Sequence, residues 1–250
     1  MKVTVLLHGF TGSPNGLREV GSELAARGIR VETPALLGHG AGNDAGIHGF
    51  EGEVDRLAGF VRSLGVATHL VGYSLGGRLA IGLLVRHPEL FASATLVSAQ
   101  PGLTTERERI ERQAADEHWC EILEQQGLVA FVDAWEKLPL FATQGGLPKE
   151  VLEAQRRERL SHDPEGLVRS LRSCGLGQMP PYWTALRGVS VPTTLMVGEH
   201  DSKFAAVNFR MQELLPASQV SLVTGAGHNV LLERPGAVTD AITQALSGGA

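Results

Sequence analysis

A chain of 250 residues, 43% apolar and 20% charged, has the make-up of an ordinary globular protein and the length for one core with an insertion. Its net charge of −5, with no Lys/Arg-rich block and no RNA-binding signature, argues against nucleic acid as a partner. The apolar runs are too short for a membrane span and the first strand-like run leaves no room for a signal peptide, so a cytoplasmic protein is expected.

The first expected element is a strand, Val3 to Leu7, running into His8-Gly9-Phe10-Thr11-Gly12. A helix follows over about Gly16 to Arg27, a strand over Ile29 to Thr33 and a helix over about Phe50 to Leu64. Val66 to Gly72 reads as a third strand and ends in Gly72-Tyr73-Ser74-Leu75-Gly76. This G-x-S-x-G pattern between a strand and a helix is a nucleophile elbow. The chain turns sharply there, the small residues let strand and helix approach closely, and the serine is held in strained backbone space. Helical apolar spacing continues from Leu75 to His87, where Pro88 is a natural stop, and a fourth strand covers Phe91 to Ala99.

Between Gln100 and about Gly188 the strand pattern ceases. Helices are expected over Thr105 to Gln126, Gly127 to Leu138, Pro148 to Leu160 and Pro164 to Leu176, punctuated by Pro139, Gly145-Gly146 and Asp163-Pro164. Residues 101–187 therefore read as a helical cap inserted into a core made of 1–100 and 188–250; a cap closes over a pocket and supplies the residues that choose the substrate. Cys120 and Cys174, in separate segments of it, are expected to be reduced thiols. Pro192 to Gly198 reads as a fifth strand leading to Glu199-His200-Asp201, then a helix over Phe204 to Leu215. A sixth strand, Ser218 to Thr224, ends in Gly225-Ala226-Gly227-His228-Asn229; a last helix spans Pro235 to Leu246 and the Ser247-Gly248-Gly249-Ala250 tail is expected to fray. Such alternation predicts an α/β protein with a mostly parallel sheet of about six strands, helices on both faces and one edge somewhat exposed.

A serine hydroxyl is a weak nucleophile or base at neutral pH, so Ser74 needs a histidine to take its proton and a carboxylate to orient that histidine. His228 and Asp201 supply them, and the order Ser74, Asp201, His228 is that of the α/β-hydrolase fold. In that fold the turn after the first strand offers the amide of the residue following the glycine, which makes Phe10 N–H and Leu75 N–H the expected oxyanion-hole donors. Asp201 also stands where a helix N-cap belongs. His8 and His39 read as structural. None of the remaining histidines has metal-ligand spacing, and no H-E-x-x-H or C-x-x-C pattern occurs, so no metal is expected.

Arg78 stands four residues after Ser74 in the first turns of a helix, where the macrodipole disfavours a cation and a bound anion would offset the cost. The arginines of Thr105 to Gln113, Arg112 among them, and those of Arg156-Arg157-Glu158-Arg159 read mainly as solvated faces with i,i+4 pairs. From the residues alone, recognition of an anionic substrate stays open.

The sequence closely resembles an α/β-hydrolase family of menaquinone biosynthesis, the 2-succinyl-6-hydroxy-2,4-cyclohexadiene-1-carboxylate (SHCHC) synthases. The resemblance runs through Leu7 to Gly12, Gly72 to Arg78, Pro101-Gly102-Leu103, Glu111-Arg112-Gln113, Phe131 to Trp135, Gly198 to Phe204 and Gly225 to Asn229, and so covers nearly the whole chain. The insertion stretches and Asp201-Ser202-Lys203-Phe204 are far more specific than the elbow. The resemblance implies a lyase that eliminates pyruvate from 2-succinyl-5-enolpyruvyl-6-hydroxy-3-cyclohexene-1-carboxylate, a small anionic substrate with three carboxylates, using neither metal nor cofactor. It further implies that Ser74 removes a ring proton without forming an acyl-enzyme. Carboxylate binding falls to Arg78, Arg112 and Arg159, the last in a register left ambiguous by Arg156-Arg157, and pocket lining to Tyr73 and Trp135. No oligomeric state is implied. Two departures stand out: the strand pair that usually opens the fold is missing, and Gly177 to Tyr182 follows the family pattern only in part. The competing readings are a carboxylesterase or carbon–carbon bond hydrolase acting through an acyl-enzyme, and a non-catalytic receptor, which would not require the complete trio.

Overall fold

The computed structural model describes residues 2–40, 46 and 48–247; Met1, residues 41–45, residue 47 and the last three residues of the tail lie outside the described residues. Six strands form one sheet: β1 (Val3–Leu7), β2 (Arg30–Glu32), β3 (Thr68–Tyr73), β4 (Phe91–Val97), β5 (Thr193–Gly198) and β6 (Ser218–Val223). Their spatial order is β2-β1-β3-β4-β5-β6, and every neighbouring pair is parallel. Parallel neighbours need crossover connections, and helices supply them. These are α1 (Arg18–Ala26), α2 (Gly49–Ser63) and α3 (Leu75–Arg86) before β4, then α4 (Glu106–Gln125), α5 (Gly127–Trp135), α6 (Lys149–Arg159) and α7 (Pro164–Cys174) between β4 and β5. After β5 come α8 (Ser202–Gln212), the single-turn α9 (Val230–Glu233) and α10 (Pro235–Ser247).

Side chains alternate across a strand, and the core divides accordingly. Val5, Leu7, Leu70, Leu96 and Leu195 face α2 and α3 through partners such as Val54, Leu57, Leu79 and Leu83. Leu6, Val71, Val97 and Met196 face α1 and α10 through Val20, Leu24, Val238 and Ile242. Burying each such side chain contributes about 1.5–3 kcal/mol. Helices α4, α5 and α7 enclose a third apolar cluster of Cys120, Leu123, Phe131, Val132, Leu167, Val168 and Leu171. The stretch between β4 and β5 thus packs around an interior of its own. Cys120 and Cys174 are both buried and no disulfide joins them.

The element bounds differ from expectation at a few ends, each with a local cause. The helix expected from Gly16 begins as a 3₁₀ turn, Pro14–Leu17, whose Ser13 cap accepts from Asn15 N–H, and becomes α-helical only at Arg18. The third strand begins at Thr68 rather than Val66, because Gly65 adopts φ +72° and Val66 projects into solvent. Helix α8 begins at Ser202, capped by Asp201, and Pro139–Gly146, expected as mere punctuation, winds into a 3₁₀ segment. The short edge strand β2 leaves Arg30 exposed.

The chain passes from β1 to β2 on one side and to β3 on the other. A crevice therefore opens beyond the carboxyl ends of β1 and β3, where open α/β sheets bind ligands. The His8-to-Gly12 loop and Ser74 lie directly after those two strands.

Candidate active site

Ser74 has φ +50° and ψ −107°, a conformation that non-glycine residues adopt only when their surroundings enforce it. The enforcement is visible: Ser74 N–H donates to Val97 O at 3.0 Å, and Gly76 N–H donates to His8 O at 3.0 Å. A Cβ on Gly76 would lie 2.3 Å from Leu7 O, so the strand and helix approach this closely only through glycine.

The other two members of the trio are brought in by β5 and β6. A Cβ on Gly198 would lie 2.1 Å from Gly227 O, and this contact holds the loop after β5 against the loop after β6. His228 Nδ1 lies 2.6 Å from Asp201 Oδ2 and Nε2 lies 3.1 Å from Ser74 Oγ. A carboxylate accepts, so Nδ1 carries the proton and Nε2 is left to receive one from the serine. Asp201 Oδ1 meanwhile accepts from Phe204 N–H at 3.3 Å, so this carboxylate caps α8 and orients His228 together. The His228 backbone is fixed on both sides: Ser98 Oγ donates to His228 O at 2.8 Å, and buried Glu233 accepts from Gly227 N–H at 2.7 Å and Asn229 N–H at 3.3 Å. The rings of Phe204 and Tyr73 flank the imidazole at 4.6 and 5.6 Å.

A cavity of about 850 Å³ opens in front of the trio. Ser74, His228, Phe10, Leu75, Tyr73, Trp135, Arg78, Arg112 and Arg159 all line it, with Asp201 behind His228. Neither Phe10 N–H nor Leu75 N–H donates to another group among the described residues. Burial pushes the Tyr73 phenol well above its ordinary pKa, so it stays neutral. Trp135 packs on Phe131 and against the edge of Phe10 at 5.4 and 5.3 Å, and its indole N–H has no partner among the described residues.

Each of the arginines has a partner within the chain: for Arg112 it is an i,i+4 pair of the kind expected, whereas Arg78 and Arg159 depart from their sequence reading. Arg78, which had no evident structural role, donates through Nη1 to Cys174 O at 2.8 Å and so ties the nucleophile helix to α7. Burial, and then the neighbouring Arg112, lowers its pKa to about 10. Arg112 holds Asp116 Oδ1 through Nη2 at 2.8 Å and Nε at 2.9 Å. Arg159 meets Glu136 Oε1 at 3.0 Å and sits 5.1 Å from the centre of the Phe141 ring. Arg156 is taken up by Asp133 and Glu136 and is not among the cavity-lining residues. Among the lining residues that the sequence reading did not single out are Gln100 and Lys203. Lys203 carried a signal, because a cation in the first turn of α8 opposes the macrodipole as Arg78 does; Gln100 carried none.

Residues 4–241 match the profile of a family described as the alpha/beta hydrolase family. The chain belongs to the alpha/beta hydrolase family. This hydrolase is similar to an Enterobacter sp. (strain 638) protein named 2-succinyl-6-hydroxy-2,4-cyclohexadiene-1-carboxylate synthase, at 31% identity over 97% of this chain and 90% of that protein. A Bacillus subtilis (strain 168) protein provisionally named for the same synthase is 36% identical over 94% of this chain and 86% of its own length. Among solved structures, MenH from S. aureus superimposes with a TM-score of 0.94 at 30% identity, covering 99% of this chain and 94% of that one. No helix among the described residues is long and apolar enough to cross a membrane.

Proposed function

We propose that this α/β hydrolase is an SHCHC synthase: a lyase of menaquinone biosynthesis that eliminates pyruvate from 2-succinyl-5-enolpyruvyl-6-hydroxy-3-cyclohexene-1-carboxylate. One observation carries the reading beyond the similarity of the relatives: three guanidinium groups, Arg78, Arg112 and Arg159, share a cavity with Ser74 and His228. A neutral ester has no use for them, whereas a small substrate with three carboxylates is matched by planar forks that bind carboxylates bidentately.

In this reading Ser74 Oγ takes a ring proton as His228 Nε2 accepts the hydroxyl proton, with Asp201 stabilising the imidazolium. The electron pair of the broken C–H bond, at the ring carbon that bears the succinyl group, forms one ring double bond, the existing ring double bond shifts one place towards the leaving group, and the bond to the enolpyruvyl oxygen breaks. The departing enolate takes a proton from His228 and becomes pyruvate. Charge that builds on the succinyl carbonyl oxygen meets Phe10 N–H and Leu75 N–H, which have no other partner to leave among the described residues. Residues 1–100 and 188–250 form the catalytic core, and 101–187 form a cap that closes the cavity and supplies Arg112, Arg159 and Trp135. The substrate is a free, small polyanion and the reaction runs in the cytoplasm.

The test offers the enolpyruvyl cyclohexene substrate and, separately, p-nitrophenyl acetate, following the conjugated diene by absorbance and pyruvate in parallel. Stoichiometric diene and pyruvate are expected. Fast ester turnover without pyruvate would instead establish acyl-enzyme chemistry and end the lyase reading.

A further inference from the structure

Three buried histidines outside the catalytic trio each pin one of three successive peptides in the loop after β1. The Gly9–Phe10 peptide is held by its carbonyl, where Gly9 O accepts from His8 Nδ1–H at 2.8 Å and from Gly12 N–H at 3.1 Å. In a trans peptide the N–H points opposite to the C=O, so anchoring Gly9 O directs Phe10 N–H away from His8. The next peptide is held by its amide: Thr11 N–H donates to His39 Nε2 at 3.1 Å. The third is held by its carbonyl, which accepts from His162 Nε2 at 3.1 Å. A carbonyl cannot donate, so that nitrogen of His162 carries the proton. Thr11 itself has φ +63°, a conformation that needs outside support in a residue with a side chain.

The three rings form a column, with centres 5.0 Å apart from His8 to His39 and 5.3 Å from His39 to His162. Their protons are placed by partners: His8 Nε2 accepts from Leu36 N–H, and His39 Nδ1–H donates to Leu37 O. Burial lowers the pKa of all three, that of His8 to about 4, so the column is neutral. The Glu158 carboxylate acts on His162 and also bonds Ser13 Oγ in the same loop, and buried Glu53 accepts from Leu37 N–H beside the Leu36 N–H that His8 holds. His8 and His39 belong to the core. His162 does not: it lies between α6 and α7, 151 positions from Thr11.

We propose that His162 is a positioning residue through which the closed cap sets the oxyanion loop: its Nε2–H holds the Thr11 carbonyl and thereby fixes the aim of Phe10 N–H. The inference rests on the lyase reading and on Phe10 as an oxyanion donor. The hole is then complete only with the cap down, so catalysis is coupled to closure without His162 touching the substrate.

The test uses two polar variants of similar size. His162→Gln places an amide N–H where Nε2 stands, whereas His162→Asn places one where Nδ1 stands and falls short of Thr11 O. Loss of one oxyanion donor costs about 10²–10³ in kcat, and misaiming one should cost about tenfold. His162→Asn is expected to lower kcat for elimination by about that factor with little change in KM, while His162→Gln stays near wild type. Equal kcat in all three proteins, equal losses in both variants, a change confined to KM, or failure of both variants to fold would each overturn the clamp. Absence of pyruvate from the wild type would overturn the lyase reading instead. Ester hydrolysis by the same variants, which draws on the same donor, would then decide the clamp separately.

Discussion

The trio of Ser74, His228 and Asp201 and the arginines around it share one cavity but are built in different ways. The trio stands on loops at the ends of β3, β5 and β6, and its polar atoms are satisfied by one another and by the backbone of α8. The arginines project from helices α3, α4 and α6, and each is already engaged: Arg78 with a carbonyl, Arg112 with Asp116, Arg159 with Glu136. The trio can reach its working geometry before any substrate arrives. The arginines can bind a carboxylate only by adding contacts through their remaining N–H groups or by giving up a partner. The trio is thus preorganised by the sheet, while in the proposed function recognition becomes a competition staged largely by the insertion.

The sharpest way to break this contrast is to damage the trio. Ser74→Ala and His228→Ala should each lower kcat by roughly 10²–10⁴, the range supplied by a positioned proton-transfer group. The double variant should lose scarcely more than either alone, because the two act as one unit. Losses that multiply in single-turnover measurements would mean that serine and histidine work independently.

Much of the preorganised half is legible in the sequence because its causes are local. Gly72, Gly76 and the strand before them dictate a turn that leaves Ser74 at positive φ, and the six strands fall within about two residues of their expected ends. Asp201 supports both of its readings at once, as helix cap and as partner of His228. The competitive half is less legible, since it depends on contacts between distant segments. Spacing alone leaves Arg156 and Arg159 equivalent; what separates them is Asp133 of α5, which pairs with Arg156, whereas Glu136 in the turn just beyond holds both. The link from His162 to Thr11 and that from Glu158 to Ser13 cross more than a hundred positions with no periodicity to announce them.

A smaller effect should come from the arginines, and it should depend on the substrate. A charge-assisted contact contributes about 1.5–3 kcal/mol. Arg78→Met and Arg112→Met should therefore lower kcat/KM for elimination by roughly ten- to a hundredfold. Hydrolysis of a neutral p-nitrophenyl ester by the same proteins should change little. That control is needed because Arg78 also secures Cys174 O and Arg112 also neutralises buried Asp116, so both variants carry a stability cost. Equal damage to both activities would assign the arginines to the fold and remove the main support for a polyanionic substrate.

The smallest effect should sharpen the idea of competition itself. Glu136 holds Arg159 and Arg156 through its two oxygens, and its side chain is 26% exposed against 5% for Arg159. With its carboxylate partly open to solvent, such a pair contributes on the order of 1 kcal/mol or less, so in the proposed function a substrate carboxylate would displace it at modest cost. Glu136→Gln keeps the shape and one acceptor but removes the charge that rivals a substrate carboxylate. If Arg159 must partly let go of Glu136 to bind substrate, KM should fall by about 1.5- to 5-fold, the factor equivalent to that energy, with kcat unchanged. The fall should shrink as salt is raised, because the Glu136 carboxylate reaches solvent. A rise in KM would show the opposite relation, with Glu136 aiming Arg159 at the cavity rather than holding it back, and recognition would then be as preorganised as the chemistry.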